Sequence, residues 1–120
     1  MKILGIKTSA QFKKISKDGK KFHAKSLLVL ASPTITQYLQ NKDLGQNAAD
    51  FVRVGFTVSK IVGNAVARNY AKRKLREAAR ALLLEHGKNH HDYVVIAKKE
   101  IANATYEEIL RDLKFCLKRL

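Results

Sequence analysis

The chain has 120 residues, with 24 Lys and Arg against 10 Asp and Glu, which leaves a formal net charge of +14 at pH 7. That length suits one domain, since domains most often run about 100–150 residues, and a hydrophobic content of 46% sets the chain apart from disordered polyelectrolytes. So large an excess of cations opposes compaction and points to a polyanionic partner, nucleic acid before an anionic membrane surface. No apolar run approaches the roughly 18 residues of a membrane span. The first residues lack the long apolar stretch of a secretory signal, so the expected location is cytoplasmic. The single cysteine, Cys116, excludes an internal disulfide framework and a Cys-based zinc site. One domain over 1–120 is expected.

Thr8 and Gln11 stand three apart, ahead of Phe12 and Ile15. This is a capping-box pattern and predicts a short helix over 9–17 that ends near Gly19. Residues 22–31, rich in Leu and Val, read as a strand. Residues 32–50 are polar, contain Pro33 and Gly45, and read as a long connection with a helical turn around 35–39. Residues 51–59 alternate. Val52, Val54, Phe56 and Val58 share one face; Arg53, Gly55, Thr57 and Ser59 share the other. The pattern predicts a half-buried strand with a small, hydroxylic and basic second face. Two readings of that face stay open: an ordinary solvated surface, or a surface that lies against another molecule's backbone.

A turn through Lys60 and Gly63 leads into a helix over 64–85, with Asn64 as its N-cap. Residues 93–97 read as a short buried strand, followed by Lys98 and Lys99, which extend the positive field. Thr105 and Glu108 form a second capping-box pattern, and Ile109, Leu113, Cys116 and Leu120 follow at helical spacing. The order is helix, two or more strands, long helix, strand, helix. It predicts an α+β domain with helices packed on a small mixed sheet.

The informative stretch is 64–80, NAVARNYAKRKLREAAR. At about 100° per residue, Ala67, Ala71, Leu75, Ala78 and Leu82 share an arc of roughly 80°. Arg68, Lys72, Arg76 and Arg80 recur every four residues on the adjoining arc, with Asn69 and Arg73 inside it. One face therefore docks on the sheet and another presents cations. Like charges at i, i+4 each cost a helix a few tenths of a kcal/mol, so the row does not serve helix stability. It suits a run of phosphates, which Arg forks chelate. The helix start at Gly63 and Asn64 adds free N–H groups and a positive dipole end. A merely solvated charged face is the alternative, and the near absence of acids weighs against it.

The same stretch carries a resemblance. Arg53-Val54-Gly55-Phe56-Thr57-Val58-Ser59-Lys60, then Gly63-Asn64-Ala65-Val66, then Arg68-Asn69 with Lys72-Arg73 and Arg76-Glu77, resembles the protein subunit of bacterial ribonuclease P. That family's RNR motif lies on a long helix after a strand ending in Val-Ser-Lys. Phe12, Gly19 and the first strand extend the likeness, as do residues 92–99 and 105–108; only 33–50 falls outside it. Tyr70 replaces the third residue of RNR, and Ser16 stands where the family often has a second aromatic.

The resemblance implies an α/β sandwich with a left-handed βαβ crossover. It also implies an accessory subunit of an endonuclease whose catalyst is RNA and which frees the mature 5′ end of tRNA. Two partners follow: the catalytic RNA, met by Asn64, Arg68, Asn69, Lys72, Arg73, Arg76 and Arg80; and the 5′ leader of precursor tRNA, held in a cleft of Phe12, Arg53, Thr57, Ser59 and Lys60. Phe12 also reads as plain core packing. Magnesium is implied for the holoenzyme, held mainly by RNA, and the free protein is expected to be monomeric with no membrane partner.

The residues themselves show no protein catalytic centre. No Ser/His/Asp set is apparent, and the acids are scattered rather than clustered for two metals. His86 and His90 are four apart, as ligands on a helix are, but Gly87, Lys88 and Asn89 between them predict a loop. The alternative readings are a general or ribosomal RNA-binding protein, a membrane-surface binder, which the Ala-rich apolar arc disfavours, and a self-sufficient nuclease, which the missing carboxylate cluster disfavours.

Overall fold

Residues 51–57 open the architecture because their β-branched and aromatic side chains favour an extended chain. The computed structural model describes residues 2–6, 15, 17, 19–34 and 50–120. Five strands are present: β1 (Lys2–Gly5), β2 (Lys20–His23), β3 (Leu27–Pro33), β4 (Phe51–Thr57) and β5 (His91–Ala97). Two α-helices, α1 (Ala65–His86) and α2 (Tyr106–Arg119), and two 3-10 turns, Lys60–Val62 and Lys99–Asn103, complete the described elements. The strands form one mixed sheet in the order β1-β4-β5-β3-β2. β1, β4 and β5 run parallel, and β3 is antiparallel to both β5 and β2. Helix α1 links the parallel neighbours β4 and β5, since such neighbours require a crossover. The domain is α+β, as expected.

Alternation along the strands splits the interior in two. Leu27, Val29, Val52, Val54, Tyr93 and Val95 face the helices and pack with Leu75, Ala78, Leu82, Ile109, Leu113 and Cys116. Leu30 and Val94 face the other way and pack with Ile15. Full burial of an aliphatic side chain such as Leu75 contributes about 1.5–3 kcal/mol. Burial also pushes the Cys116 thiol up to about 11, with the Asp112 carboxylate adding to the effect. Helix α2 begins as its sequence predicts. The Glu108 N–H donates to Thr105 Oγ1 at 3.2 Å, and the Thr105 N–H donates to Glu108 Oε1 at 3.1 Å.

Several expectations need correction. The stretch 22–31 is not one strand but a hairpin, β2 and β3, folded at Ala24–Ser26. There the Ala24 N–H donates to the Leu27 carbonyl at 2.8 Å. Side-chain ties from elsewhere hold this turn. Ser26 donates from N and Oγ to Asp112 Oδ2 at 3.0 and 2.6 Å, and Lys98 Nζ donates to the Ala24 carbonyl at 2.6 Å. Strand β1 is new; its partner β4 lies some fifty residues away, and only the fold brings them together.

Strand β4 is not half-buried either. Its residues 51–55 are buried on both faces, the usual state of a parallel strand between two others. The predicted helix over 9–17 and the turn around 35–39 lie outside the described residues, apart from Ile15 and Lys17, which are helical. Gly19 follows where a helix end was expected. Its N–H donates to the Ile15 carbonyl, and a Cβ there would sit 2.5 Å from that oxygen and 2.8 Å from the Ala31 carbonyl. Among the described residues no helix is long and apolar enough to cross a membrane.

Candidate nucleic-acid interface

Where β4 ends, a tight turn aims α1. The Val62 N–H donates to the Ser59 carbonyl and the Gly63 N–H to the Lys60 carbonyl, both at 3.1 Å. Val62 plugs into the core, whereas Lys60 and Ile61 are exposed. Gly63 has φ 147°, a conformation open only to glycine, and a Cβ there would meet Ala67 Cβ at 3.0 Å. Asn64 then caps α1 as predicted, its Oδ1 accepting from the Ala67 N–H at 2.9 Å.

Helix α1 buries Ala71, Leu75, Ala78, Ala79, Leu82 and Leu83. Ala79 and Leu83 widen the docking arc toward the cationic side beyond the predicted stripe, and Ala67 is only half-buried. Arg68 and Lys72 are half-buried in consequence; Asn69, Arg73, Arg76 and Arg80 are exposed. Lys72 and Arg76 lean over a cavity of about 370 Å³ that Ile3, Ile6, Val54 and Phe56 also line. The ion pairs among the described residues join Arg53 to Asp92 and Arg111 to Asp112, and His86 Nε2 lies 3.9 Å from a Glu85 carboxylate oxygen. None of these uses a cation of α1's basic face. Arg73 instead lies 5.6 Å from the Tyr70 ring centre. The helix presents a row of fixed positive charge, which suits phosphate oxygens.

The cleft residues divide. Thr57, Ser59 and Lys60 are exposed at the C-terminal end of β4. Phe12 lies outside the described residues. Arg53 is 1% exposed, and the expectation that it offers a cation on the cleft floor is corrected. Register sets it beside Asp92 on β5. Arg53 Nε donates to Asp92 Oδ1 at 2.7 Å, Nη2 donates to Oδ2, and Thr34 Oγ1 adds a third bond to Oδ1 at 2.8 Å. A buried guanidinium needs a partner of this kind, because desolvation of an isolated charge is prohibitive.

Other residues share the exposed end of that sheet face. Thr57 registers with Ile96, Ile96 with Leu28, and Leu28 with His23 on β2; Lys21, two residues back, points to the same side. Lys21 and His23 are exposed and were missed because the predicted strand began only at Phe22. The alternation of 20–23 was the available signal. Lys98 is half-buried and tied to the Ala24 carbonyl, so Lys99 is the more exposed of that pair. His86 ends α1, His90 lies in the connection and His91 begins β5, so the loop expected at Gly87, Lys88 and Asn89 is present while His86 and His91 belong to the flanking elements. Among the described residues no group of three or more His, Cys, Asp or Glu is placed to hold a metal ion.

The sequence profile of the ribonuclease P protein family, described as "Ribonuclease P", matches residues 2–120. The chain belongs to this family. The ribonuclease P protein component of Paramagnetospirillum magneticum is 41% identical over 115 residues, which cover 96% of this chain and 80% of that one. The component of Clostridioides difficile is 36% identical over 115 residues, covering 96% and 90%. Among solved structures, the Staphylococcus aureus RNase P protein superposes with a TM-score of 0.74 at 31% identity, covering 96% of this chain and 93% of that one. The Thermotoga maritima RNase P protein shares the fold, with a TM-score of 0.75 at 24% identity over 96% of each chain. The family is that of the protein component of an endoribonuclease, so the resemblance first drawn from the strand, turn and helix motif holds over nearly the whole chain.

Proposed function

We propose that the protein is the accessory subunit of a ribonuclease P in which RNA performs the cleavage. The basic face of α1, from Asn64 to Arg80, docks on the catalytic RNA. The opposite face of the sheet, at its Thr57, Ser59 and Lys60 end, holds the single-stranded 5′ leader of precursor tRNA. Phe12 remains the proposed aromatic wall of this cleft; Lys21 and His23 join it, and Arg53 acts from beneath as a structural ion pair. The observation that carries the reading is the row Arg68, Lys72, Arg76 and Arg80 on a capped helix, without a carboxylate partner among the described residues.

A single strand suits the cleft because its bases are free to stack and its backbone follows positive charge. Magnesium serves the holoenzyme, bound mainly by RNA; the described side chains offer no grouped donors for it, and no step is assigned to a protein-held ion. The protein works as a monomer in the cytoplasm. Family membership favours this reading over a general or ribosomal RNA-binding role.

The test is cleavage of labelled precursor tRNA at low magnesium by the protein alone, by the cognate catalytic RNA alone, and by the two combined. Release of the leader at the mature 5′ end, strongest in the combination, is the expected result. Absence of stimulation of a competent RNA overturns the reading, and cleavage by the protein alone replaces it with a protein nuclease.

A further inference from the structure

Resting on that reading, we infer that the ring of Tyr70 is a stacking platform for one unpaired nucleobase of the catalytic RNA. Tyr70 interrupts a cationic helix face at the place where the family pattern carries a third polar residue. It is not there to pack. Its exposure is 48%, whereas its neighbour Ala71 is 3% exposed and Leu75 is fully buried. One turn earlier Val66 is 77% exposed. An exposed Val and Tyr at i, i+4 form an apolar strip on a surface otherwise made of charge. Both line an open trough of about 560 Å³ whose other walls are Asn69, Lys72, Arg73 and Arg76.

That lining matches a nucleotide group by group. The ring and the valine offer a flat apolar contact, the amide offers hydrogen bonds to a base edge, and the cations meet the flanking phosphates. The ring already attracts cations to its π-face. Lys74 Nζ lies 5.0 Å from the Tyr70 ring centre and 5.4 Å from that of Tyr106 on α2, and Arg73 approaches at 5.6 Å. A base that stacks on the ring from the trough takes the place of the Arg73 guanidinium, which then turns to the flanking phosphates. Bases within a duplex are stacked on one another, so the occupant is a base from a loop, bulge or junction. The surrounding cations favour this occupant over an apolar protein partner.

The chain contains no tryptophan, so Tyr70→Trp installs its only indole. Titration of that variant with the catalytic RNA is expected to quench the indole emission. Tyr70→Ala is expected to weaken binding of the same RNA about tenfold at fixed salt. The slope of log affinity against log salt stays unchanged, because no charge is removed. Tyr70→Phe retains wild-type affinity. If the wild type binds the RNA and Tyr70→Ala binds equally well, or the indole is unquenched at saturation, the platform is overturned and the docking reading stands. If the wild type itself does not bind, both fall.

Discussion

Arg53 and Arg68 belong to one continuous sequence motif, fifteen residues apart, and meet opposite environments. Arg53 lies inside the sheet, its guanidinium clamped to Asp92 with Thr34 in support. Arg68 opens a row of cations on α1 that has no carboxylate partner among the described residues. The first is a desolvated charge that helps to hold strands β4 and β5 in register. The second belongs to a surface whose charges repel one another, a repulsion that a polyanion would relieve. A basic motif therefore carries two kinds of arginine, and only burial separates them.

The largest effect that breaks this comparison is at Asp92. Asp92→Ala leaves the Arg53 guanidinium without its carboxylate, and urea unfolding is expected to show a loss of about 3–5 kcal/mol, the range for breaking one side of a buried pair. A loss below 1 kcal/mol, the level of a surface pair, would place Arg53 with the surface cations instead. At the hinge between the two regions, Gly63→Val forces a β-branched residue to φ 147°. The expected cost is about 1–3 kcal/mol, with a misaimed α1 and weaker RNA binding. Wild-type stability in that variant would show that the turn relaxes freely.

On α1, where Arg68 is half-buried, Arg68→Ala is expected to cost no more than about 1 kcal/mol, well below Asp92→Ala. It lowers the salt slope of RNA binding by about one, since one phosphate contact is lost. An unaltered slope would remove Arg68 from the interface. The smallest effect is at the start of α2, where the Thr105 N–H holds the Glu108 carboxyl below the usual carboxylate range. The depressed value means that the contribution is present above the unfolded carboxyl's pKa and is lost as pH falls through the folded one. Acid titration followed by circular dichroism should show this loss in the wild type and not in Glu108→Gln, whose neutral amide does not titrate.

Much of the candidate interface was legible in the chain because it is local. The cap at Asn64, the capping box at Thr105 and Glu108, the stripe from Ala71 to Leu82 and the cations beside it all depend on residues within a few positions of one another. Helical periodicity turns such spacing directly into faces. The exposed position of Thr57, with Ser59 and Lys60 just past the strand end, was legible for the same reason, since the alternation along β4 is clear. The hairpin at Ala24–Ser26 was not legible, because the ties of that turn come from Asp112 and Lys98. Strand β1 escaped as well, being four residues long and stabilised by a distant partner.

Composition, charge and the motif from Arg53 to Glu77 were sufficient for the α+β class, the basic helix and the family. These rest on short-range geometry and on residue types in order. Only tertiary structure decided that β4 is covered on both faces, that Arg53 meets Asp92 rather than solvent, and that Lys21 and His23 share a face with Thr57. Strand order and register place those groups, and both are set by packing between segments far apart in the chain. The alternation of 51–59 names which side chains share a face; it contains nothing about what the rest of the molecule lays against that face.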